Sequence, residues 1–405
     1  MLAQRVIYLK ISFSSNRRRN ICFMILVVLI VVILFLSLFI GLTMQSRASK
    51  PGLYVGVDVG FGDEEDVYRT ADEVTGYANL IILGSLAVTS DSDKLIRVCD
   101  YLYARGFYFI VYAGFSMEGL FPPIGPDSLF FKENQGRWGD KLLGAYIFDE
   151  PGGKQLDNRS HRVVENANNI TDAAEHYVIT LGSLATLYHG PAYYGTDLGM
   201  YTSDYALYWY DYLAGYDVVL GQFVGNQSRQ LAVSMTRGAA TTHERDWGVM
   251  ITWKYRQPPY VEEPEQLYDD MVLAYENGAI YIVVFNSPDV NEPTTPYGIL
   301  TKDHFDAMRR FWDYYKSHPR SMAYNAQTAY VLPTDYGYGF RGPNDNIWGL
   351  WPANELSTQV WNDAEALLDK YNMNLDIVYQ TRIDSVPASL EYDTLVFWNG
   401  TITKR

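Results

Sequence analysis

Short apolar runs alternate with amphipathic stretches along most of the chain. Residues 53–61, 79–85, 107–115, 142–148, 200–205, 217–223, 247–253 and 280–285 are apolar, β-branched or aromatic and bounded by Gly, Asp or Asn. That pattern predicts eight buried strands. Between them, residues 92–105, 160–176, 227–245 and 262–277 carry helical periodicity, 208–216 forms a shorter connection, and 301–317 supplies a closing helix. Strict alternation with near-continuous apolar strands implies a parallel sheet covered by helices. Eight such units between residues 53 and 320 fit an α/β fold of the TIM type, a (β/α)8 barrel. An open doubly wound sheet is the alternative. A dinucleotide-binding version of it needs a third glycine after the first strand, and Asp58-Val59-Gly60-Phe61-Gly62-Asp63 has acids nearby instead.

The pattern changes at both ends. Residues 328–332, 375–379 and 394–398 read as strands around a helix at 355–371, with a Gly/Tyr/Pro-rich loop at 333–352. This small α/β unit, residues 321–405, is expected as an accessory layer on the barrel. The chain ends soon after a strand, which leaves open a longer version of the unit. At the other end, Ile21 to Gly41 holds no charge, and residues 21–43 are long enough to span a bilayer as one helix. A cleaved signal has a shorter apolar core and a small-residue cleavage site, and Gly41-Leu42-Thr43-Met44-Gln45 is a poor one, so an uncleaved signal anchor is expected. Arg5, Lys10, Arg17, Arg18 and Arg19 precede the span, while only Arg47 and Lys50 follow it closely. Positive charge stays inside, so residues 1–20 form a cytoplasmic basic tail, 44–52 a linker, and the rest lies outside the cell membrane.

The net charge of −15 argues against a nucleic-acid partner, which needs a basic footprint. Ordinary solubility is sufficient reason for the acidity. Cys22 at the span and Cys99 in a helical pattern cannot pair, so the outer part relies on its core. Sequons at Asn158, Asn169, Asn226 and Asn399 fit an outside location.

Barrel chemistry gathers where strands end and loops begin. The residues there include Asp58, Tyr112, Asp149, Glu150, Asp204, Gln222, Trp253, Lys254, Tyr255 and Asn286, whereas His161, His176, His189, His243, His304 and His318 fall in helices or connecting segments. A metal site and a Ser-His-Asp arrangement are therefore not expected, and neither is a cofactor. Carboxylate chemistry remains. In Gly144-Ala145-Tyr146-Ile147-Phe148-Asp149-Glu150-Pro151-Gly152-Gly153 an apolar strand runs into two adjacent acids. An acid at such a mouth has its pKa raised by burial and by its neighbour, toward a general-acid value. Both acids reach one site only if the backbone turns there, which Pro151 and the glycines allow. The plainer reading makes Asp-Glu-Pro a solvated cap of the next helix.

This fourth-strand signature resembles that of barrel glycoside hydrolases, in which the fourth strand carries the acid/base glutamate. It is most similar to hexosaminidase-type families, where an adjacent Asp and Glu work together on N-acetylated sugars. The resemblance implies that Glu150 protonates the glycosidic oxygen and that Asp149 orients the substrate's acetamido group as internal nucleophile. One departure matters: retaining members commonly carry a second glutamate at the seventh strand, and here that strand ends Met250-Ile251-Thr252-Trp253-Lys254-Tyr255. A second enzymic acid would then be Asp204 or Asp58. Trp253, Tyr255, Tyr112 and Tyr146 offer flat faces to pyranose rings, with core packing as the alternative. Asp58, Gln222, Trp253, Lys254, Tyr255 and Asn286 are the expected substrate contacts, Lys254 meeting an acidic sugar or a rim carboxylate. The sequence thus points to a membrane-anchored extracytoplasmic glycoside hydrolase acting on cell-envelope or environmental glycans. The alternative is a non-catalytic carbohydrate- or envelope-binding surface protein on the same barrel.

Overall fold

Eight strands close in chain order: β1 (Tyr54–Val59), β2 (Leu80–Leu83), β3 (Tyr108–Ala113), β4 (Leu142–Ile147), β5 (Gly199–Asp204), β6 (Val218–Phe223), β7 (Asp246–Ile251) and β8 (Tyr281–Asn286). Parallel pairing of β1 with β8, from Tyr54↔Tyr281 to Val59↔Asn286, completes the ring. The computed structural model describes residues 51–113, 126, 128–157, 162–189, 198–288, 295–320, 324–381 and 392–405. The expected membrane span at 21–43, with the basic tail and most of the linker, lies outside the described residues, as do Asn158 and His161. Among the described residues no helix is long and apolar enough to cross a membrane.

Side chains alternate across each strand, as period-two geometry requires. Val55, Val57 and Val59 of β1 join the layer between barrel and helices, whereas Tyr54 turns inward to meet Leu80, Tyr108, Tyr146, Tyr201, Leu220 and Tyr281. Tyrosines fill the lower barrel: Tyr54 stacks on Tyr281 at 4.7 Å and meets Tyr108 edge-on at 5.2 Å. The strand ends above them therefore have a floor.

Residues 53–405 form one compact unit. In the C-terminal layer β9 (Thr328–Leu332) lies between β10 (Leu375–Tyr379) and β11 (Thr394–Phe397), all parallel, and a strand beyond the expected three, β12 (Ile402–Lys404), pairs antiparallel with β11. The expected accessory layer is thus present on the barrel. Buried Arg237, on the helix Arg229–Thr242, donates to Asp376 Oδ1 at 2.7 Å and to the carbonyls of Met373 and Leu375. A buried charge held by a carboxylate and two backbone carbonyls of the C-terminal layer ties the barrel helix to that layer.

One expected helix is displaced. Instead of 160–176, the helix runs Ile170–His189. Gln155 is the reason, because its side chain pairs with both the N–H and the carbonyl of Val164, holding that segment out of helical geometry. Asn169 then caps the helix by accepting from Asp172 N–H at 3.0 Å.

Candidate functional site

At the C-terminal ends of the strands a cavity of about 760 Å³ opens, lined by Asp58, Tyr112, Tyr146, Asp149, Glu150, Gln222, Met250, Thr252, Trp253 and Phe285 among others. The turn after β4 shapes it. Phe148 and Glu150 both take left-handed backbone, with φ of 52° and 57°. Two such residues flanking Asp149 break the strand's alternation, so Asp149 and Glu150 face the same cavity. Each non-glycine residue held there costs roughly 1–2 kcal/mol. Fixed hydrogen bonds offset that cost: Glu150 N–H donates to the Ser203 carbonyl at 3.0 Å, and Thr202 Oγ1 to the Phe148 carbonyl at 2.9 Å.

Glu150 does stand at the N-cap position of the helix Pro151–Leu156, but its side chain makes no capping hydrogen bond. Asp204 caps instead. Its carboxylate accepts from the N–H groups of Gly152, Gly153, Tyr205 and Ala206. A Cβ at Gly152 would come within 2.4 Å of the Ala206 carbonyl oxygen and 2.9 Å of Asp204 Oδ2, so the cap demands glycine there. Asp204 is fully buried and is not part of the cavity wall. The expectation that it is a catalytic acid is corrected accordingly. Strand alternation gives the cause: Tyr201 faces the barrel interior, so Ser203 does too, and Asp204 points away.

A chain of short hydrogen bonds links the acids. Tyr146 donates its hydroxyl proton to Asp149 Oδ1 at 2.6 Å, which leaves Ser203 Oγ, also at 2.6 Å, to donate to Tyr146. Gln222 Nε2 donates to Ser203 Oγ and to Glu150 Oε1, both at 2.9 Å. Lys154 Nζ reaches the Asp149 carbonyl and stands 3.4 Å from its Oδ2. Burial first, and the charge of Asp149 second, push the Glu150 carboxyl up to about 6, against the opposing pull of Gln222 and Lys154. The same two causes raise Asp58 well above the carboxylate range, although it accepts from the Gly84 amide. Tyr112 is pushed up to about 12 by burial and then by Asp149.

Aromatic rings form part of the wall. Trp253 lies 5.4 Å from Phe285, and half-exposed Phe61 meets Phe285 edge-on at 6.4 Å. Three expected contacts are not in that wall. Lys254 and Tyr255 leave it because both their N–H groups bond to the Tyr260 carbonyl at 2.8 Å, turning the loop outward. Asn286 faces away from the barrel interior, the side opposite Phe285, and donates to the Tyr297 carbonyl at 2.7 Å. Sequence reasoning names Tyr146 only as a ring and does not single out Ser203. Their inward parity on β4 and β5 is the available signal. Among the described residues no group of three or more His, Cys, Asp or Glu could hold a metal ion.

A ring platform predicts a separable effect on binding. Trp253→Ala should raise KM roughly fivefold with little change in kcat, since one aromatic face contributes about 1 kcal/mol. Steady-state kinetics on any cleaved glycoside reads this, and an unchanged KM would assign Trp253 to packing.

No family model matches the chain, and no curated protein does. Solved structures do. A GH5_18 protein from Streptomyces cattleya, in complex with GlcNAc, matches at TM-score 0.54 and 11% identity, over 87% of this chain and 100% of that one. The polyextremophilic beta-galactosidase of the Antarctic haloarchaeon Halorubrum lacusprofundi matches at 0.54 and 11%, over 85% and 69%. The exo-beta-1,4-mannosidase Op5Man5 of Opitutaceae bacterium strain TAV5 matches at 0.51 and 11%, over 85% and 72%. At such identities the likeness is one of fold: an eight-stranded parallel barrel of the kind these glycoside-processing proteins share.

Proposed function

We propose that the chain is a glycoside hydrolase in which Glu150 delivers the proton to the departing glycosidic oxygen. The observation that carries this reading is the carboxyl of Glu150 itself. It sits at the mouth of a 760 Å³ cavity, fixed by Gln222, and is held up to about 6, so that a share of it stays protonated in a pH range where an ordinary carboxyl has lost its proton. The cavity lies in the size range of small-molecule sites and mixes ring faces with convergent polar groups, which suits a sugar. The similar folds, a GlcNAc complex, a galactosidase and a mannosidase among them, support a glycan as the substrate class. Release of the aglycone from a panel of aryl glycosides, N-acetylhexosaminides included, by the detergent-solubilised full chain is the direct test. Silence across the panel would sink the reading.

One observation favours a second reading, a glycan-binding protein without turnover. The end of β7 presents Met250 and Thr252 to the cavity, where retaining barrel enzymes commonly hold a glutamate. Saturable glycan binding with no hydrolysis would establish it.

The proposal includes the membrane. Residues 21–43 anchor the chain with its N-terminus inside and residues 53–405 outside, supported by the charge asymmetry around the span. Asn169, Asn226 and Asn399 are exposed, as modification from outside requires. Protease added to intact cells should digest the 53–405 region and spare an N-terminal tag. The reverse pattern would overturn the orientation.

A further inference from the structure

Three buried polar side chains on neighbouring strands, Tyr146 of β4, Ser203 of β5 and Gln222 of β6, connect the two acids of the β4 turn. Each has few protons to give, so counting them settles the direction of every hydrogen bond. The Tyr146 hydroxyl has one proton, which goes to Asp149 Oδ1 at 2.6 Å, while the Lys154 ammonium stands 3.4 Å from Oδ2. Tyr146 Oη then accepts twice, from the Ser203 N–H at 3.1 Å and from Ser203 Oγ at 2.6 Å. That spends the single Ser203 hydroxyl proton, so Ser203 Oγ meets Gln222 as an acceptor. Gln222 must turn its NH₂ toward it, and the same Nε2 also reaches Glu150 Oε1, both at 2.9 Å. Both amide protons are used.

The far end of this chain decides where Glu150 carries its acidic proton. An oxygen that accepts from an amide N–H offers a lone pair, so a protonated Glu150 has its hydrogen on Oε2 and not on Oε1. Glu150 is partly exposed and lines the cavity, and among the described residues Gln222 is the side chain hydrogen-bonded to its carboxyl. Oε2 is left for the substrate. A reversed amide would set the Gln222 oxygen against Ser203 Oγ, which has no proton to spare, and would draw the Glu150 proton onto Oε1. A buried polar network with every proton committed holds a single arrangement.

We propose that Gln222 is a positioning residue that places the acidic proton of Glu150 on Oε2, and that Tyr146 and Ser203 hold its amide in the orientation this requires. This rests on the glycosidase reading above. When the glycosidic oxygen takes that proton, the O–H bonding pair stays on Glu150, and the carboxylate formed keeps the Gln222 N–H on Oε1. The pair of the broken glycosidic C–O bond leaves with the oxygen that has gained the proton. The orientation of the amide is thus set from Asp149, three hydrogen bonds away.

The test uses the full chain in detergent, with a disaccharide and a dinitrophenyl glycoside that the wild type cleaves. Gln222→Ala should lower kcat on the disaccharide about 10²-fold, the scale of a small misplacement of a reacting group, with KM within a few-fold. On the dinitrophenyl glycoside, whose leaving group needs no proton, the loss should stay under about fivefold. Tyr146→Phe removes a hydroxyl that bonds Asp149 and Ser203 and not Glu150, and it should give the same split. It frees the Ser203 proton, which lets the amide reverse. The double variant Tyr146→Phe/Gln222→Ala should be no slower than Gln222→Ala alone, because one chain is broken only once. Ser203→Ala opens the chain from another strand and takes the place of Tyr146→Phe if that variant does not fold. A purely structural role would slow both substrates alike. Equal losses on the two substrates, normal disaccharide turnover in Tyr146→Phe, or losses that multiply in the double variant would each overturn the inference while the glycosidase reading stands. An inactive wild type would overturn both.

Discussion

Glu150→Gln is expected to lower kcat by about 10²–10⁴-fold on substrates whose leaving group needs a proton. The substitution preserves shape. The new amide oxygen still accepts from Gln222 Nε2, and the left-handed turn, anchored by the Glu150 N–H on the Ser203 carbonyl, is a backbone feature that survives it. What disappears is the one proton positioned for the glycosidic oxygen. The size of the loss should follow leaving-group basicity. A dinitrophenyl glycoside departs as a stable anion and should lose far less than an alkyl glycoside or a disaccharide. The affinity of a non-hydrolysed sugar should stay within a few-fold, because the ring faces of Trp253 and Phe285 are untouched. A variant that turns over a disaccharide at the wild-type rate would remove Glu150 from the mechanism.

Much of the barrel was legible because strands buried on both faces leave an apolar signature that loops and helices do not share. All eight runs match β1–β8 to within a few residues, and the short 208–216 connection holds the helix Tyr208–Ala214. The misplaced helix shows the limit of periodicity. Residues 160–169 scan as amphipathic, but Gln155 captures Val164 through two hydrogen bonds that no local pattern encodes.

The site was legible to a different degree. Asp58, Glu150, Asp204 and Gln222 do stand at one end of the ring, at the C-terminal ends of β1, β4, β5 and β6. Which of them face the cavity depends on parity, and Asp204 shows how a one-residue step reverses the answer. Asn286 repeats the lesson beside Phe285. Parity also stops working where the backbone leaves the strand. Phe148 and Glu150 turn left-handed at the one place where two adjacent acids need to converge, and neither is a glycine that would announce it. The relay through Tyr146, Ser203 and Gln222 is likewise assembled from three separate strands, so it exists only after closure.

Asp149→Asn separates the two schemes that the acid pair supports, through the pH profile more than through the maximal rate. Glu150 is faced by Asp149, Lys154, Asp157 and Gln222, and Asp58 by Asp149 and the Gly84 amide. Asp149 raises both acids, so removing its charge should lower both. Glu150 works protonated, so lowering its pKa from about 6 weakens activity on the alkaline arm, about tenfold for every pH unit by which that arm moves. The two profiles should therefore meet at low pH and separate at high pH, where the variant is slower. The Tyr146 hydroxyl keeps an acceptor in the asparagine oxygen, which limits structural change. Sugars lacking an acetamido group should be cleaved by both proteins. In the substrate-assisted scheme Asp149 instead holds the acetamido group and stabilises the charge that develops on its nitrogen. Turnover would then collapse at every pH with binding intact, and only N-acetylated sugars would be substrates. A rate lost equally at every pH, together with a strict N-acetyl requirement, would move Asp149 from tuning Glu150 to holding the substrate's acetamido group.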